Sequence, residues 1–419
     1  MTSTALVDAP VWHKPAETKP GRASARPAAT RANQTAPAFS AVIVRSAAAL
    51  AEHLAALEDL GAAAFEPNVF FEPWMFLPAV EGFAANQALD YVLVYGRSPE
   101  RTSMPPVLYG FFPLEKQQYW KGLPIRVVRI WRHVYSVLGT PLLRADGARE
   151  CWEFFVKWLA ATPNGATLLE LAFVTGDGPF NQLLVDHANA HGTLSYVAES
   201  FNRALFRPRA SVDDYLAAAL SGKHRQEMRR MERRLAELGS LRYAVLEPDA
   251  DPTPWIADFL QLEADGWKGR EGTALGRQEG DCRFFKAFAH EAHWRGKLQM
   301  LGLFLNDKPI ALKCNLLAGE GGYAFKIAYD EALARYSPGV LLELFTIRHL
   351  HGCSGPAWMD SCAIPDHPMI NRLWLDRRTI QTVLISTGRC AGDFVVSLLP
   401  ALRWVKRRVI GRTVLELPA

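Results

Sequence analysis

The sequence predicts an α+β fold: two similar α/β three-layer units in tandem, each a mixed central sheet flanked by helices. Three observations lead there. A chain of 419 residues that is 49% hydrophobic is long enough to bury two cores. Periodicity gives the element order β α α β β β α β α β over residues 41–206, and the same order recurs over 241–388. Finally, the stretch FKIAYDEALARYSPGVLLELFTIRHLH at 325–351 reads as a strand, a short loop and a helix.

Residues 1–38 are dominated by Ala, Pro, Thr and Ser and read as a disordered arm. They hold no apolar core of a signal peptide, though their Arg and Ser content also suits an organellar transit peptide. The first unit spans 39–207. It opens with a short strand at 41–45 and an Ala- and Leu-rich helix at 47–65. The aromatic cluster Phe70, Phe71, Trp74, Met75 and Phe76 predicts a second helix. Strands at 91–97, 107–117 and 127–133 follow, then a helix (151–160), a strand (168–174), a helix (180–191) and a strand (194–206).

The second unit spans 208–390. Helix 212–220 precedes helix 223–238, in which Met228, Met231, Leu235 and Leu238 form an apolar stripe and Arg225, Arg229, Arg230, Arg233 and Arg234 take the other faces. A strand (241–246) and helices at 255–267 and 282–294 lead to three strands at 298–305, 309–317 and 323–329. Asn306-Asp307-Lys308 marks the first turn between them, and Gly319, Gly321 and Gly322 mark the second. After the 338–351 helix come a strand (357–361), a helix (369–375) and a strand (379–386). A basic helix within 391–419 ends the chain.

Net charge is +4, and the two ends carry the positive excess, so the body is slightly acidic. This argues against a general nucleic-acid surface. Six scattered cysteines, none in a CxxC pair, point to reduced thiols in a reducing, cytoplasmic setting. No stretch has the apolar length of a membrane span. His349, His351, Cys353, Cys362 and His367 cluster in sequence but lack structural-zinc spacing, so no metal is expected.

In 325–329, Phe325, Ile327 and Tyr329 alternate with Lys326 and Ala328, so the two sets are expected on opposite faces. Ser337 suits a helix N-cap, Pro338 the first helical turn, and Gly339 allows close approach to the backbone. Free N–H groups and the positive dipole end at such a start suit an anion such as a diphosphate.

Four stretches carry a family resemblance: KHRQEMRRMERRL (223–235), LEADGWKGREGTAL (262–275), FKIAYDEALARYSPG (325–339) and WMDS (358–361). Together they resemble the CelD/BcsL-type acetyltransferase domain of the GNAT superfamily, found beside cellulose and exopolysaccharide genes. The two-unit plan resembles the Fem-type aminoacyl transferases. The resemblance implies tandem GNAT folds and acetyl-CoA as acyl donor. It implies transfer of the acetyl group to an amine or hydroxyl of a carbohydrate-type precursor. The pantetheine would lie between strands 325–329 and 357–361, its acyl group near Lys326, Ala328 and Tyr329, with the diphosphate on Arg335, Tyr336, Ser337, Pro338 and Gly339. This loop has one glycine where single-domain GNAT enzymes carry Arg/Gln-x-x-Gly-x-Gly/Ala. Another acyl-CoA or a Fem-like aminoacyl-tRNA therefore stays open as donor.

Candidate catalytic residues are Glu263, Tyr329 and Asp360. Glu263 reads as a proton acceptor or a solvated helix carboxylate. Tyr329 reads as a general acid for the leaving thiolate or a core ring. Asp360 would hold the acceptor, or cap a helix, or pair with Arg372 or Arg377. Trp267 and Lys268 are expected to shape the acceptor site. Lys326 would bind a substrate anion or form a buried ion pair. The 223–234 helix reads as a solvated face or a phosphate clamp. The terminal helix packs on the last strand, or makes peripheral contact with a membrane or a polysaccharide synthase; a non-catalytic scaffold for such a synthase is the alternative to an enzyme.

Overall fold

The computed structural model describes residues 38–97, 105–162, 165–352 and 355–409. The expected N-terminal arm, apart from Ala38, and the last ten residues lie outside them, as does Cys353. The first half contains β1 (Ala38–Val44), α1 (Ala47–Ala51), α2 (Leu54–Ala62), α3 (Pro73–Phe83), β2 (Leu89–Arg97), β3 (Val107–Gln117), β4 (Val127–Ile130) and β5 (Leu142–Leu143). It continues with α4 (Ala148–Ala161), β6 (Leu168–Thr175), α5 (Pro179–His191) and β7 (Ser195–Phe206). The second half contains α6 (Val212–Ala219), α7 (Gly222–Ala236), β8 (Leu241–Val245), α8 (Thr253–Asp265), α9 (Trp267–Arg270), α10 (Glu279–Trp294), β9 (Leu298–Leu305), β10 (Lys308–Ala318) and β11 (Gly321–Tyr329). It ends with α11 (Pro338–Gly352), β12 (Trp358–Asp360), α12 (Ile370–Leu373), β13 (Asp376–Ser386) and α13 (Cys390–Val409).

The strands join in one sheet, not two, in the order β1-β2-β3-β4-β6-β13-β7-β12-β11-β10-β9-β8, with β5 on β3. Read from either end, this order is the same pattern. β4 and β6 pair in parallel, as do β11 and β12. At the centre the halves exchange strands: β13, from the end of the chain, sits between β6 and β7, and β7 pairs with β12. Each half therefore completes its sheet with a strand of the other. Pairing Ile380 with Phe201 near the middle of both strands gives the exchange its register.

The aromatic cluster at 70–76 bridges the halves. It folds as a 3-10 turn (Val69–Phe71) followed by α3, whose Pro73 occupies the first turn, where no N–H is needed. Helix α3 packs on α10 of the second half: Phe83 meets Phe284 at 5.0 Å between ring centroids, and Trp74 meets Phe288 at 6.5 Å. Phe70 meets Tyr323 of β11, whose hydroxyl donates to the Pro67 carbonyl. One apolar core thus runs from the α2–α3 side to the α8–α10 side of the sheet. A second cluster lies where α7 and α11 cover the other face, with Leu235, Leu301, Leu303, Leu341 and Leu342 inside.

A β-bulge corrects the expected alternation. Cys314 pairs with Lys326 and Asn315 with Ala324, so Phe325 is the extra residue. Phe325 packs on Phe285 and Phe288 of α10, and Lys326 reaches α8, so both face the same side. Ile327 and Tyr329 face the α11 side.

Candidate functional site

The parallel pair β11–β12 is short. Gly321, Gly322 and Tyr323 pair with Trp358, Met359 and Asp360, and there β12 ends. From Asp360 the chain turns away: Ser361 donates to the Ala204 carbonyl of β7, and Cys362 takes a left-handed backbone with φ 55°. β11 runs on to Tyr329, so its edge over 324–329 has no strand partner on that side among the described residues. Such an edge carries backbone donors and acceptors ready for an extended guest.

Helix α11 begins at the far end of this edge. The expected loop ahead of it is a 3-10 helix, Glu331–Tyr336, with Asp330 capping it by accepting from the Ala332 N–H. Ser337 precedes Pro338, but its backbone is left-handed at φ 52°, and its carbonyl, not its side chain, takes the first helical bond, from Leu341. Pro338 and Gly339 are buried. A Cβ on Gly339 would lie 3.3 Å from Cδ1 of Tyr329 and 3.9 Å from Cδ1 of Ile327, so glycine lets the helix start close on the strand. The remaining first-turn N–H groups have no intrahelical acceptor and point along the helix axis. Arg335 is exposed beside them, its guanidinium 4.7 Å from the Tyr336 ring centroid.

On the α8 face of β11 lies a charged cluster. Glu263 of α8 accepts from Lys326 at 2.8 Å and Lys268 at 3.2 Å on Oε1, and from the Leu275 N–H at 2.9 Å on Oε2. The carboxylate is 2% exposed. Burial works to raise its pKa, but the two ammonium groups and their hydrogen bonds outweigh burial and hold it below the ordinary value. Lys268 also donates to the Ile327 carbonyl at 3.2 Å; burial, and then the charge of Lys326, lower its pKa. Lys326 lies 5.3 Å from the Tyr135 ring, and the Tyr135 hydroxyl donates to Asp281 at 2.7 Å. The first half thus supplies one wall of the cleft.

The segment from Gly266 to Leu275 is strapped to this strand–turn unit. Glu331 accepts from the Trp267 N–H and, at 2.5 Å, from Arg270. Gly269 is required by the tight exit from α8: a Cβ there would lie 1.7 Å from the Ala264 carbonyl oxygen. Two stretches far apart in sequence, WKGREGTAL and FKIAYDEALARYSPG, are one structural unit.

Asp360 is remote from solvent. Arg203 Nε lies 2.6 Å from its Oδ1, Arg203 Nη2 and Arg378 Nη1 donate to Oδ2 at 2.7 and 3.1 Å, and the Cys362 N–H donates to Oδ1. Burial raises its pKa, and Arg203 and Arg378 outweigh burial to hold it low. Asp360 therefore joins the exchanged strands β7 and β13 to β12 and does not face the cleft. The expected partners, Arg372 and Arg377, are replaced by Arg203 and Arg378.

The structure brings Glu263, Lys268 and Lys326 together, and Tyr329 with Gly339. Trp267 is exposed at the rim, at 44%. Ala328 is buried on β11 and pairs with Leu312. Tyr135, Asp281, Glu331, Arg203 and Arg378 were not singled out by sequence reasoning. Glu331 lies inside a motif already noted, whereas Tyr135 and Arg203 reach the site only through the pairing of the halves. A separate cavity of 660 Å³ opens between β8 and α11, beside Tyr243, Glu247, Phe345 and His349, and shares no residue with the cluster.

The corresponding places in the first half are filled. β4 pairs with β6 only over Val127–Arg129. Beyond it the 131–140 segment is pinned by Gly139 donating to Phe173 O and by Asn68 donating to the Leu138 and Thr140 carbonyls. The start of α4, the counterpart of α11, is covered by the Tyr109 ring at Gly147.

Comparison with known proteins agrees with this geometry. Residues 222–364 match the domain model described as acetyltransferase (GNAT) domain. No curated protein matches the chain. Among solved structures, FemX is similar with a TM-score of 0.52 at 10% identity, over 86% of this chain and 99% of that one. The C-terminal domain of a putative lysylphosphatidylglycerol synthetase from Agrobacterium fabrum gives 0.47 at 15% identity, over 83% and 96%. A tandem GNAT protein from the clavulanic acid biosynthesis pathway gives 0.40 at 16%, over 84% and 99%. The FemX likeness shows the fold. The domain match makes the chain an acyltransferase with a GNAT-like fold.

Proposed function

We propose that the chain transfers an acetyl group from acetyl-CoA to an amine or hydroxyl of a carbohydrate-type precursor, as the resemblance to CelD/BcsL-type domains implies. The observation that carries the reading is the parting of β11 from β12 directly ahead of α11. The pantetheine arm lies along the 324–329 edge and takes up its free backbone groups. The diphosphate meets the first-turn N–H groups of α11, with Arg335 adding positive charge. The thioester then falls near Lys326, Ala328 and Tyr329, and the acceptor enters between Trp267, Lys268 and Tyr135.

The acceptor nitrogen or oxygen attacks the thioester carbonyl, and negative charge develops on the carbonyl oxygen. Glu263, Lys268 and Lys326 together carry one net positive charge, placed to stabilise it. Glu263 is saturated with donors, so it positions the lysines. The acceptor proton leaves to solvent at the open rim beside Trp267. The C–S bond breaks, and the departing CoA thiolate is protonated from solvent; Tyr329, whose ring packs against Gly339 on the α11 face, lies on the opposite face from the lysines. The first half walls the cleft and binds no donor of its own. The setting is cytoplasmic, with α13 making peripheral contact with a membrane or a polysaccharide synthase.

One observation favours a second reading, a Fem-like transfer from aminoacyl-tRNA. Helix α7 packs against the turn ahead of α11 and exposes Lys223, Arg229, Arg233 and Arg234 beside it. A polyanion longer than CoA would use them. The test runs both donors with a panel of amino sugars and sugar nucleotides. Release of CoA thiol that depends on acceptor supports the first reading. Transfer from charged tRNA only, lost at high salt and in Arg229→Ala/Arg233→Ala, replaces it with the second.

A further inference from the structure

We propose that the α4–α5 helix pair holds a zinc-type divalent cation on Glu153, His187 and His191. The two histidines stand four residues apart on α5, which puts both on one face, and Glu153 of α4 meets them. One ligand-capable atom of each lies within 4.8 Å of those of the other two. The imidazoles are 4.5 Å apart between centroids and inclined by 27°. Glu153 is half-buried, His187 buried and His191 exposed, so the group is open to solvent on one side.

The hydrogen bonds around the rings prepare them to ligate. His191 Nδ1 lies 3.2 Å from the His187 carbonyl oxygen. As donor there, Nδ1 carries the proton and leaves the Nε2 lone pair free, the arrangement in which a backbone carbonyl fixes the tautomer of a ligating histidine. His187 Nδ1 is buried without a hydrogen-bond partner, a cost that packing against Trp152 does not explain.

Two imidazoles and one carboxylate are a nitrogen-rich, borderline-soft donor set. It suits zinc with a water in the fourth position, and it does not suit magnesium or calcium, which prefer oxygen ligands. Around a metal at about 2.1 Å the ligand atoms sit roughly 3.4 Å apart, so Glu153 and His191 must draw in slightly, which their exposure allows. The cation would clamp α4 to α5, which already meet through Trp152 and Phe180 at 5.5 Å. No residue of the acyl-transfer cleft takes part, so this inference stands apart from the proposed reaction.

The test uses the full chain stripped with a chelator. Zinc retained after dialysis is counted by elemental analysis, cobalt is added as a visible probe, and melting is followed with and without zinc. The expected result is one zinc per chain above the level in His191→Ala, a cobalt spectrum with nitrogen and oxygen ligation, and a melting rise with zinc but not magnesium. His191 is exposed, so His191→Ala should keep the wild-type circular dichroism; it and Glu153→Gln should each lose at least tenfold in zinc affinity. Equal zinc binding and equal melting shifts in wild type and both variants would overturn the site, as would no zinc retained by wild type.

Discussion

Replacing Glu263 by Gln tests how the cleft is held together. Gln keeps the size of the side chain and one acceptor for the Leu275 N–H, but it removes the charge that answers two ammonium groups at 2.8 and 3.2 Å. The Glu263 side chain is 1% exposed, against 14% for Lys326 and 22% for Lys268. Breaking a buried ion pair from one side costs about 3–5 kcal/mol, because the other charge stays behind. The lysines keep some access to water, so the lower end, about 3 kcal/mol, is expected. Urea unfolding at pH 7.5 reads this directly. Replacing all three, with Lys268→Met and Lys326→Met added, removes the stranded charges and should recover at least half the loss. The sign with pH is fixed by the lowered pKa of Glu263: its contribution is complete above the ordinary value of 4.5 and fades as pH falls through the folded-state value. A Glu263→Gln protein that unfolds at the wild-type urea midpoint, yet loses the acidic limb of its rate profile, would refute the positioning role and restore Glu263 as the proton acceptor.

Three further predictions are independent of that one. Gly339→Val places branched carbons against Tyr329 and Ile327, where a Cβ alone would sit 3.3 Å from a ring carbon; acetyl-CoA affinity by calorimetry should fall at least tenfold, about 1.4 kcal/mol. His133 is buried with neither ring nitrogen partnered, and burial, then Arg132, lower its pKa from 6.5 to about 3. Its contribution is complete above pH 6.5 and is lost as pH falls toward 3, so wild type should lose about 2 kcal/mol between pH 7 and 5 that His133→Phe does not, as read by urea unfolding at both values. Helix α13 packs through Val395, Val396 and Leu399 but leaves Phe394, Leu398, Leu402 and Trp404 exposed beside Arg403; sedimentation with anionic vesicles should be lost in Leu398→Asp/Leu402→Asp and unchanged if the helix serves packing alone. No helix among the described residues is long and apolar enough to cross a membrane.

The order of elements was legible because hydrophobic periods and turn residues are local signals. The repeated string over 41–206 and 241–388 appears in the sheet as its palindromic strand order. What was not legible is non-local. Nothing in 376–386 says that it will pair with 168–175 of the first half, and the consequence is chemical: Arg203, on the exchanged β7, reaches Asp360 and closes it off. The bulge at Phe325 hides in a stretch that alternates cleanly. It turns Lys326 toward Glu263, while Ile327 and Tyr329 go to the other face. The cluster itself was half visible, since Glu263, Lys268 and Lys326 stood out separately, but their contact depends on Gly269 and Glu331 drawing two distant segments together.

The measurement that bears most directly on the account is a calorimetric titration of the full chain with acetyl-CoA, desulfo-CoA and ADP. Acetyl-CoA should bind in the micromolar range, desulfo-CoA close to it, and ADP more weakly but measurably through the start of α11, all reduced in Gly339→Val. Failure of all three to bind would contradict an acyl-CoA donor at the β11–β12 parting.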